Sequence, residues 1–185
     1  MNSGITVTNT RSKIYILAIT AVMSAVMCVL APIAIPVGPV PVTLATLVLL
    51  LSVYILGWTF GTVSIIIYLL LGMAGLPVFS GFSGGLAKLL GPTGGYLIGY
   101  IPMAVIAGLF IEKTRNRLLH VAGMLLGTAV LYIFGTAWFC VLMNSTVGTA
   151  LTLCVIPFIP GDIAKIVVAF LFGSVLRKSL AKALN

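Results

Sequence analysis

Apolar residues run along this chain in long blocks without the polar alternation of an outer-membrane strand, and short segments rich in proline, glycine or charge separate them. The first block covers residues 14–31 and ends in PIAIPVGPVPV, where Pro32, Pro36, Pro39 and Pro41 forbid helix and predict an extended connector. From Val42 to Phe79 no charge interrupts 38 residues. As one helix they would reach about 57 Å at 1.5 Å per residue, far beyond a hydrocarbon core of about 30 Å. The block must fold back, and the GWTFG segment, Gly57 to Gly61, is the expected break. Gly81, Gly84, Gly85, Gly91, Gly94 and Gly95 then crowd into a stretch too pliable for a continuous span, so its irregular backbone must line a cavity or lie at the surface. Beyond the next helices come the polar stretch NSTVGT, Asn144 to Thr149, and an apolar piece closed by Pro157 and Pro160. The pattern predicts an all-α integral membrane protein, one domain over residues 1–185, with six transmembrane helices near 14–31, 43–56, 60–76, 95–111, 118–143 and 160–181.

Composition agrees: 61% of the 185 residues are apolar and 6% charged, against roughly 45–50% and about 25% in soluble domains. The net charge of +8 does not make a nucleic-acid surface, because the basic residues lie in small groups beside apolar runs and form no stripe. Lys and Arg accumulate in cytoplasmic segments, and six spans with both termini cytoplasmic put Arg11, Lys13, Lys113, Arg115, Arg117, Arg177, Lys178 and Lys182 inside, eight of the ten basic residues. Five or seven spans would lose that asymmetry. Cys28, Cys140 and Cys154 lie within apolar segments with no metal or disulfide spacing and read as packing residues, and no cofactor is implied. Residues 1–10 lack the basic start of a cleaved signal, so the first apolar run is expected to stay in the protein. There is no internal repeat of the kind that marks a self-sufficient inverted-repeat transporter.

Within or at the mouth of the last apolar block only Asp162 and Lys165 are charged. Ionisable groups in a span are costly enough to point to function, and a spacing of three puts both on one helix face. Two readings stand: compensation of the helix dipole by Asp162 with Lys165 paired or snorkelling outward, or a ligand site. The site reading gains from the proline-rich connector, the glycine-rich connector and the Asp162 turn all falling on the outer side, where three irregular segments can build a pocket. Gly84 and Gly85 would let a ligand approach the backbone, and Thr43, Ser83, Lys88, Thr93 and Tyr96 are the polar candidates, although such residues also cap helices and line interfaces. GGLAKLLGPTGG is no phosphate loop, since no GK[ST] follows a strand. His120, without ligand partners, reads as an interfacial residue. In the first helix Ala18, Ala21 and Ala25 form a stripe of small residues, suited to internal packing or to docking another membrane subunit.

GPVPVTLATL (Gly38 to Leu47), YLLLGMAGLPVFSGFSGG (Tyr68 to Gly85), GPTGGYLIGY (Gly91 to Tyr100) and PFIPGDIAK (Pro157 to Lys165) together resemble the BioY family of biotin-specific S-components of energy-coupling-factor transporters, over nearly the whole chain. The resemblance implies the six-helix S-component fold in a prokaryotic cytoplasmic membrane, capture of biotin from outside, and partnership with a transmembrane coupling subunit and two ATPase subunits. It maps the GDxxK ligand-binding motif onto Asp162 and Lys165, and the docking motif of the first helix onto Ala21 and Ala25. Asp162 is then expected to accept an N–H of the ureido ring, while Lys165 meets either the ureido oxygen or the valerate carboxylate. Nothing in the chain hydrolyses ATP, so a binding subunit is expected, not an enzyme. The alternatives are an S-component for another vitamin such as thiamin or riboflavin, an intramembrane enzyme using Asp162 and Lys165 as acid and base, and a self-standing channel or homo-oligomeric carrier.

Overall fold

The computed structural model describes residues 10–114 and 116–184, and side chains for 13–114 and 116–180. Residues 1–9, on which the reading of an uncleaved start rests, lie outside the described residues, as do Arg115 and the side chains of Arg11 and Lys182. The chain is nearly all helical: α1 (Thr10–Leu30), a pair of two-residue strands β1 (Ala34–Ile35) and β2 (Val42–Thr43), α2 (Ala45–Met73), α3 (Leu86–Leu90), α4 (Gly94–Lys113), α5 (Arg117–Met143), α6 (Val147–Cys154) and α7 (Ile159–Leu184). Five of these, α1, α2, α4, α5 and α7, are long and apolar enough to cross a membrane, which makes the chain a multi-pass membrane protein.

The charge-free block does fold back. Gly57 adopts φ 77° and ψ −178° inside α2, a region open essentially to glycine alone, and divides the element into two legs. Eight residues of straight helix would separate Val53 from Gly61 by about 12 Å. Instead, a Cβ placed on Gly61 would stand 2.7 Å from the Cα of Val53, so the absent side chain lets the legs close on each other. At the turn, a carboxylate oxygen of Glu112, from the end of α4, accepts the N–H of Trp58 at 3.2 Å. It thereby satisfies one of the amides that the start of the second leg leaves without an intrahelical partner.

The centre of the molecule is α2. Of its spanning window 61% is buried, as is 61% of α4, against 22% for α1 and for α7. It packs against α1, α4 and α7, while α4 lies along α5. From α1 the Ser24 hydroxyl donates to the Ser64 carbonyl of α2 at 3.0 Å. Large apolar side chains on the outer faces, among them Val22, Val29, Leu125, Ile133, Val167 and Phe172, remain exposed, which suits them to lipid.

Three connectors differ from the sequence expectation. The proline-rich segment is a small hairpin, pairing Ala34 with Thr43 and Ile35 with Val42; the ladder stays short because Pro36, Pro39 and Pro41 have no N–H to give it. The glycine-rich stretch contains the brief helix α3. After α5, the NSTVGT stretch supplies a helix start, with the Thr146 hydroxyl accepting the Thr149 N–H at 3.3 Å to open α6.

Gly57→Ala is expected to destabilise the protein by about 1–3 kcal/mol, because the new Cβ would meet a Glu112 carboxylate oxygen at 2.5 Å in a conformation that disfavours it. Thermal unfolding in detergent measures this, and an unchanged midpoint would show that the turn does not depend on glycine.

Candidate ligand-binding site

At the end of the molecule away from Gly57, α7 begins as the chain leaves the segment between Pro157 and Pro160, and Asp162 stands in its first turn. Its side chain belongs to the interior: the residue is 7% exposed. One carboxylate oxygen, Oδ1, accepts from Lys165 Nζ at 2.8 Å and from Thr46 Oγ1 at 3.2 Å. The other, Oδ2, accepts from the Tyr132 hydroxyl at 2.6 Å. Lys165 Nζ also donates to Thr46 Oγ1 at 3.0 Å. The pair from one turn of α7 is thus tied to the start of α2 and the middle of α5.

Counting donors and acceptors shows what remains. A carboxylate offers about four lone-pair positions and an ammonium three protons. Oδ1 already takes two donors and Oδ2 one, while Lys165 gives one proton to Asp162 and one to Thr46. One lone pair on Oδ2 and one N–H on Lys165 are left for another molecule.

These groups form part of a cavity with about 570 Å³ of space free of protein atoms, counted out to its open mouth. Its walls come from every part of the chain that folds to this end: Ala31 at the end of α1, the β hairpin at Val40 to Thr43, both legs of α2 at Thr46 and Tyr68, and the glycine-rich loop at Ser80. Further in sequence, α4 contributes Thr93, Tyr96, Leu97 and Tyr100, and α5 contributes Leu131 and Tyr132. Thr46 and Tyr68 would be about 33 Å apart on a straight helix, so the cavity exists because α2 turns back.

Of the residues expected from sequence, Asp162, Lys165, Thr43, Thr93 and Tyr96 line this one cavity. Tyr96 does so with its ring, since its hydroxyl donates to the Cys154 carbonyl at 2.7 Å. Ser83, Gly84 and Gly85 are not in the lining. The Ser83 hydroxyl donates to the Ser80 carbonyl at 2.8 Å, its backbone pairs with Phe79, and the Gly85 N–H donates to the Gly72 carbonyl at 2.7 Å. The loop there closes on itself and reaches the cavity through Ser80. Lys88, on α3, is outside the lining as well. Ala21 and Ala25 are not in the lining and lie on the exposed face of α1. His120 is more than an interfacial residue: Nδ1 accepts the Tyr54 hydroxyl at 3.0 Å when Nε2 carries the proton it gives to the Thr114 carbonyl, also at 3.0 Å.

Thr46, Tyr100 and Tyr132 went unnoticed in the sequence. Tyr100 follows Tyr96 by four residues and therefore shares its helix face, a signal that was there to use. Nothing local marks Tyr132, which sits among apolar neighbours thirty positions from its partner.

Fold and site together define a class: a multi-pass helical membrane protein whose cavity is floored by a buried acid and base. Within that class the chain belongs to the BioY family, whose defining sequence pattern matches residues 3–182. It is 39% identical over 157 residues to the "Biotin transporter BioY" of Thermotoga maritima, covering 85% of this chain and 92% of that one. It is 34% identical over 175 residues to "Biotin transporter BioY2" of Lactococcus lactis subsp. cremoris, covering 92% and 94%. Among solved structures it superimposes on "the S-component for biotin from an ECF-type ABC transporter" with a TM-score of 0.86 at 31% identity, over 92% of this chain and 94% of that one. These relatives are transporters or transporter components by name.

Tyr132→Phe keeps the ring and removes the donor to Oδ2. Hydrogen bonds to charged groups contribute about 1.5–3 kcal/mol, so the variant is expected to lose that much unfolding free energy in detergent. Full wild-type stability would mean that the carboxylate does not depend on this hydroxyl.

Proposed function

We propose that this chain captures biotin from the outer side of the membrane and serves as the substrate-specific subunit of an ATP-driven energy-coupling-factor transporter. The observation that carries the reading is the pair of groups left over in the buried cluster: one acceptor on Asp162 Oδ2 and one donor on Lys165 Nζ, held side by side. A cyclic urea presents the complementary N–H and C=O along one edge. A charge-assisted bond to each, in a cavity walled by Tyr68, Leu97, Tyr100, Leu131 and Phe158, gives both orientation and apolar contact for the thioether ring and tail. Thr43 and Tyr96 complete the wall beside the ring. The segment of Ser83, Gly84 and Gly85 acts in this reading by shaping the loop that presents Ser80.

The proposed role is binding, not catalysis. The carboxylate and the ammonium hold each other together with two hydroxyls, and the sequence offers no nucleotide-binding loop, so the energy for uptake is assigned to two ATPase subunits acting through a transmembrane coupling subunit. The separation of charge supports the orientation: Lys113 ends α4 beside the Gly57 turn, with Arg177 donating to the Ile111 carbonyl nearby at 3.4 Å, whereas the cavity opens at the other end. With the basic end inside the cell, both termini are cytoplasmic and the cavity faces outward. Ala21 and Ala25, exposed and small, are the proposed docking stripe for the coupling subunit.

Removing one partner of a buried pair leaves an uncompensated charge at a cost of about 3–5 kcal/mol. Lys165→Ala and Asp162→Asn are therefore expected to weaken biotin binding by more than about a hundredfold, measured by isothermal titration of the purified chain. Biotin affinity equal to wild type in both variants, or thiamin or riboflavin competing equally well, would refute the assignment. Ala21→Leu is expected to abolish co-purification of the coupling subunit while leaving biotin affinity intact, and retained co-purification would place the docking face elsewhere.

A further inference from the structure

Three long helices, α2, α4 and α7, begin at the cavity, and they differ in charge: the first turn of α2 carries no acidic residue of its own, but its Thr46 is bonded to Asp162. The first turn of α7 carries Asp162, which offsets the positive end of that helix dipole. The first turn of α4 carries no acidic residue, although Thr93, Tyr96 and Leu97 put that turn in the cavity wall. A helix start amounts to roughly half a positive charge, and here nothing of opposite sign stands against it among the residues lining the cavity except Asp162, which is already paired with Lys165.

The residue at this helix start is unusual in a way that bears on a ligand. A threonine in the N-cap position ordinarily sits in extended backbone and turns its hydroxyl back to accept an amide of the first turn. Thr93 has helical backbone, φ −88° and ψ −6°, and makes no such bond. The residue is 8% exposed, and its Oγ1 is shut off from solvent without a hydrogen-bond partner among the described residues. Of the hydroxyls in that condition, it alone lines the cavity. The others nearby are engaged: Thr46 and Tyr132 with Asp162, and Tyr96 with the Cys154 carbonyl. A buried hydroxyl left without a partner costs free energy until something supplies one.

We infer that the start of α4, with the Thr93 hydroxyl as donor, is a carboxylate subsite that receives the acidic tail of the ligand. The inference rests on the reading of the cavity as a biotin site and settles how the ligand lies in it. The Asp162–Lys165 pair is neutral as a unit and takes the neutral urea edge, so Lys165 meets the ureido oxygen. The uncompensated end of α4 takes the negative charge. A carboxylate supplies what both the helix start and the hydroxyl lack, an anion and an acceptor.

The test separates charge from shape. Biotin and biotin methyl ester, which share the ring system and chain but not the negative charge, are titrated into the purified full chain in detergent, as wild type, Thr93→Val and Thr93→Ser. The expected result is that Thr93→Val, close to threonine in shape but without the hydroxyl, weakens biotin about tenfold or more and weakens the methyl ester, whose neutral carbonyl is the poorer acceptor, much less, while Thr93→Ser retains biotin affinity. Binding of the ester also shows that each variant is folded. Equal weakening of both ligands, or no change for biotin, would overturn the carboxylate subsite while leaving the biotin reading intact. Failure of the wild-type chain to bind either ligand would overturn the biotin reading and this inference with it.

Discussion

A carboxylate buried at the meeting of three helices has to be satisfied on all sides or the helices do not come together. Moving such a charge out of water costs several kcal/mol even after relaxation, and Asp162 is compensated by one cation and two hydroxyls drawn from α7, α2 and α5. No single contact carries this. Lys165 neutralises the charge, Thr46 bonds acid and base at once, and Tyr132 holds the second oxygen so that the carboxylate plane is fixed. Because these partners lie 116 and 30 positions away in sequence, the cluster also fixes how the two ends of the chain pack.

The second constraint is a backbone one. The stretch from Ala45 to Met73 is a continuous apolar run whose strong helical tendency would carry it straight through and out of a bilayer, and Gly57 reverses it. The reversal brings Thr46 and Tyr68 to one cavity and sends the turn itself to the opposite end, where Glu112 receives the Trp58 amide. The chain's two acidic side chains thus serve the two ends of the molecule, Glu112 at a helix start and Asp162 in the cavity wall. In a protein with so few charges both acids have a structural address.

Much of this was legible in the sequence, for physical reasons that can be named. A membrane protein can hide charge only where it is compensated, so an acid and a base three residues apart in an apolar block stood out against an uncharged background. The fold-back was legible because an uncharged block longer than a bilayer is thick has no other course, and the GWTFG segment, Gly57 to Gly61, puts two glycines near its middle. Hydroxyl groups were not legible in the same way. A threonine in a span can bond a carbonyl one turn back, as Thr20 and Thr128 do here, so Thr46 looks no different in sequence from a residue that only satisfies itself, and a tyrosine such as Tyr132 reads equally well as a packing or interface residue. Glycines mislead for a related reason: at Gly84 and Gly85 the missing side chain signalled room for a ligand, whereas the structure uses Gly84 to pass close to the Leu76 carbonyl and Gly85, at φ 87°, to turn its amide back to Gly72.

The arrangement of helices bears on how binding at one place can be felt at another. The main contact of α1 is with α2, and α1 leaves its outer face, including Ala21 and Ala25, uncovered. Yet its last turn delivers Ala31 to the cavity wall, and the helix it rests on carries Thr46 to the acid–base pair. The exposed stripe therefore stands one helix away from the acid–base pair. The link is made of few parts: the Ser24 bond to the Ser64 carbonyl, the packing of α1 on α2, and the Thr46 hydroxyl between Asp162 and Lys165. A shift of α2 by a fraction of a helical turn would withdraw Thr46 from both charged groups at once. It would loosen the cluster that compensates the buried carboxylate.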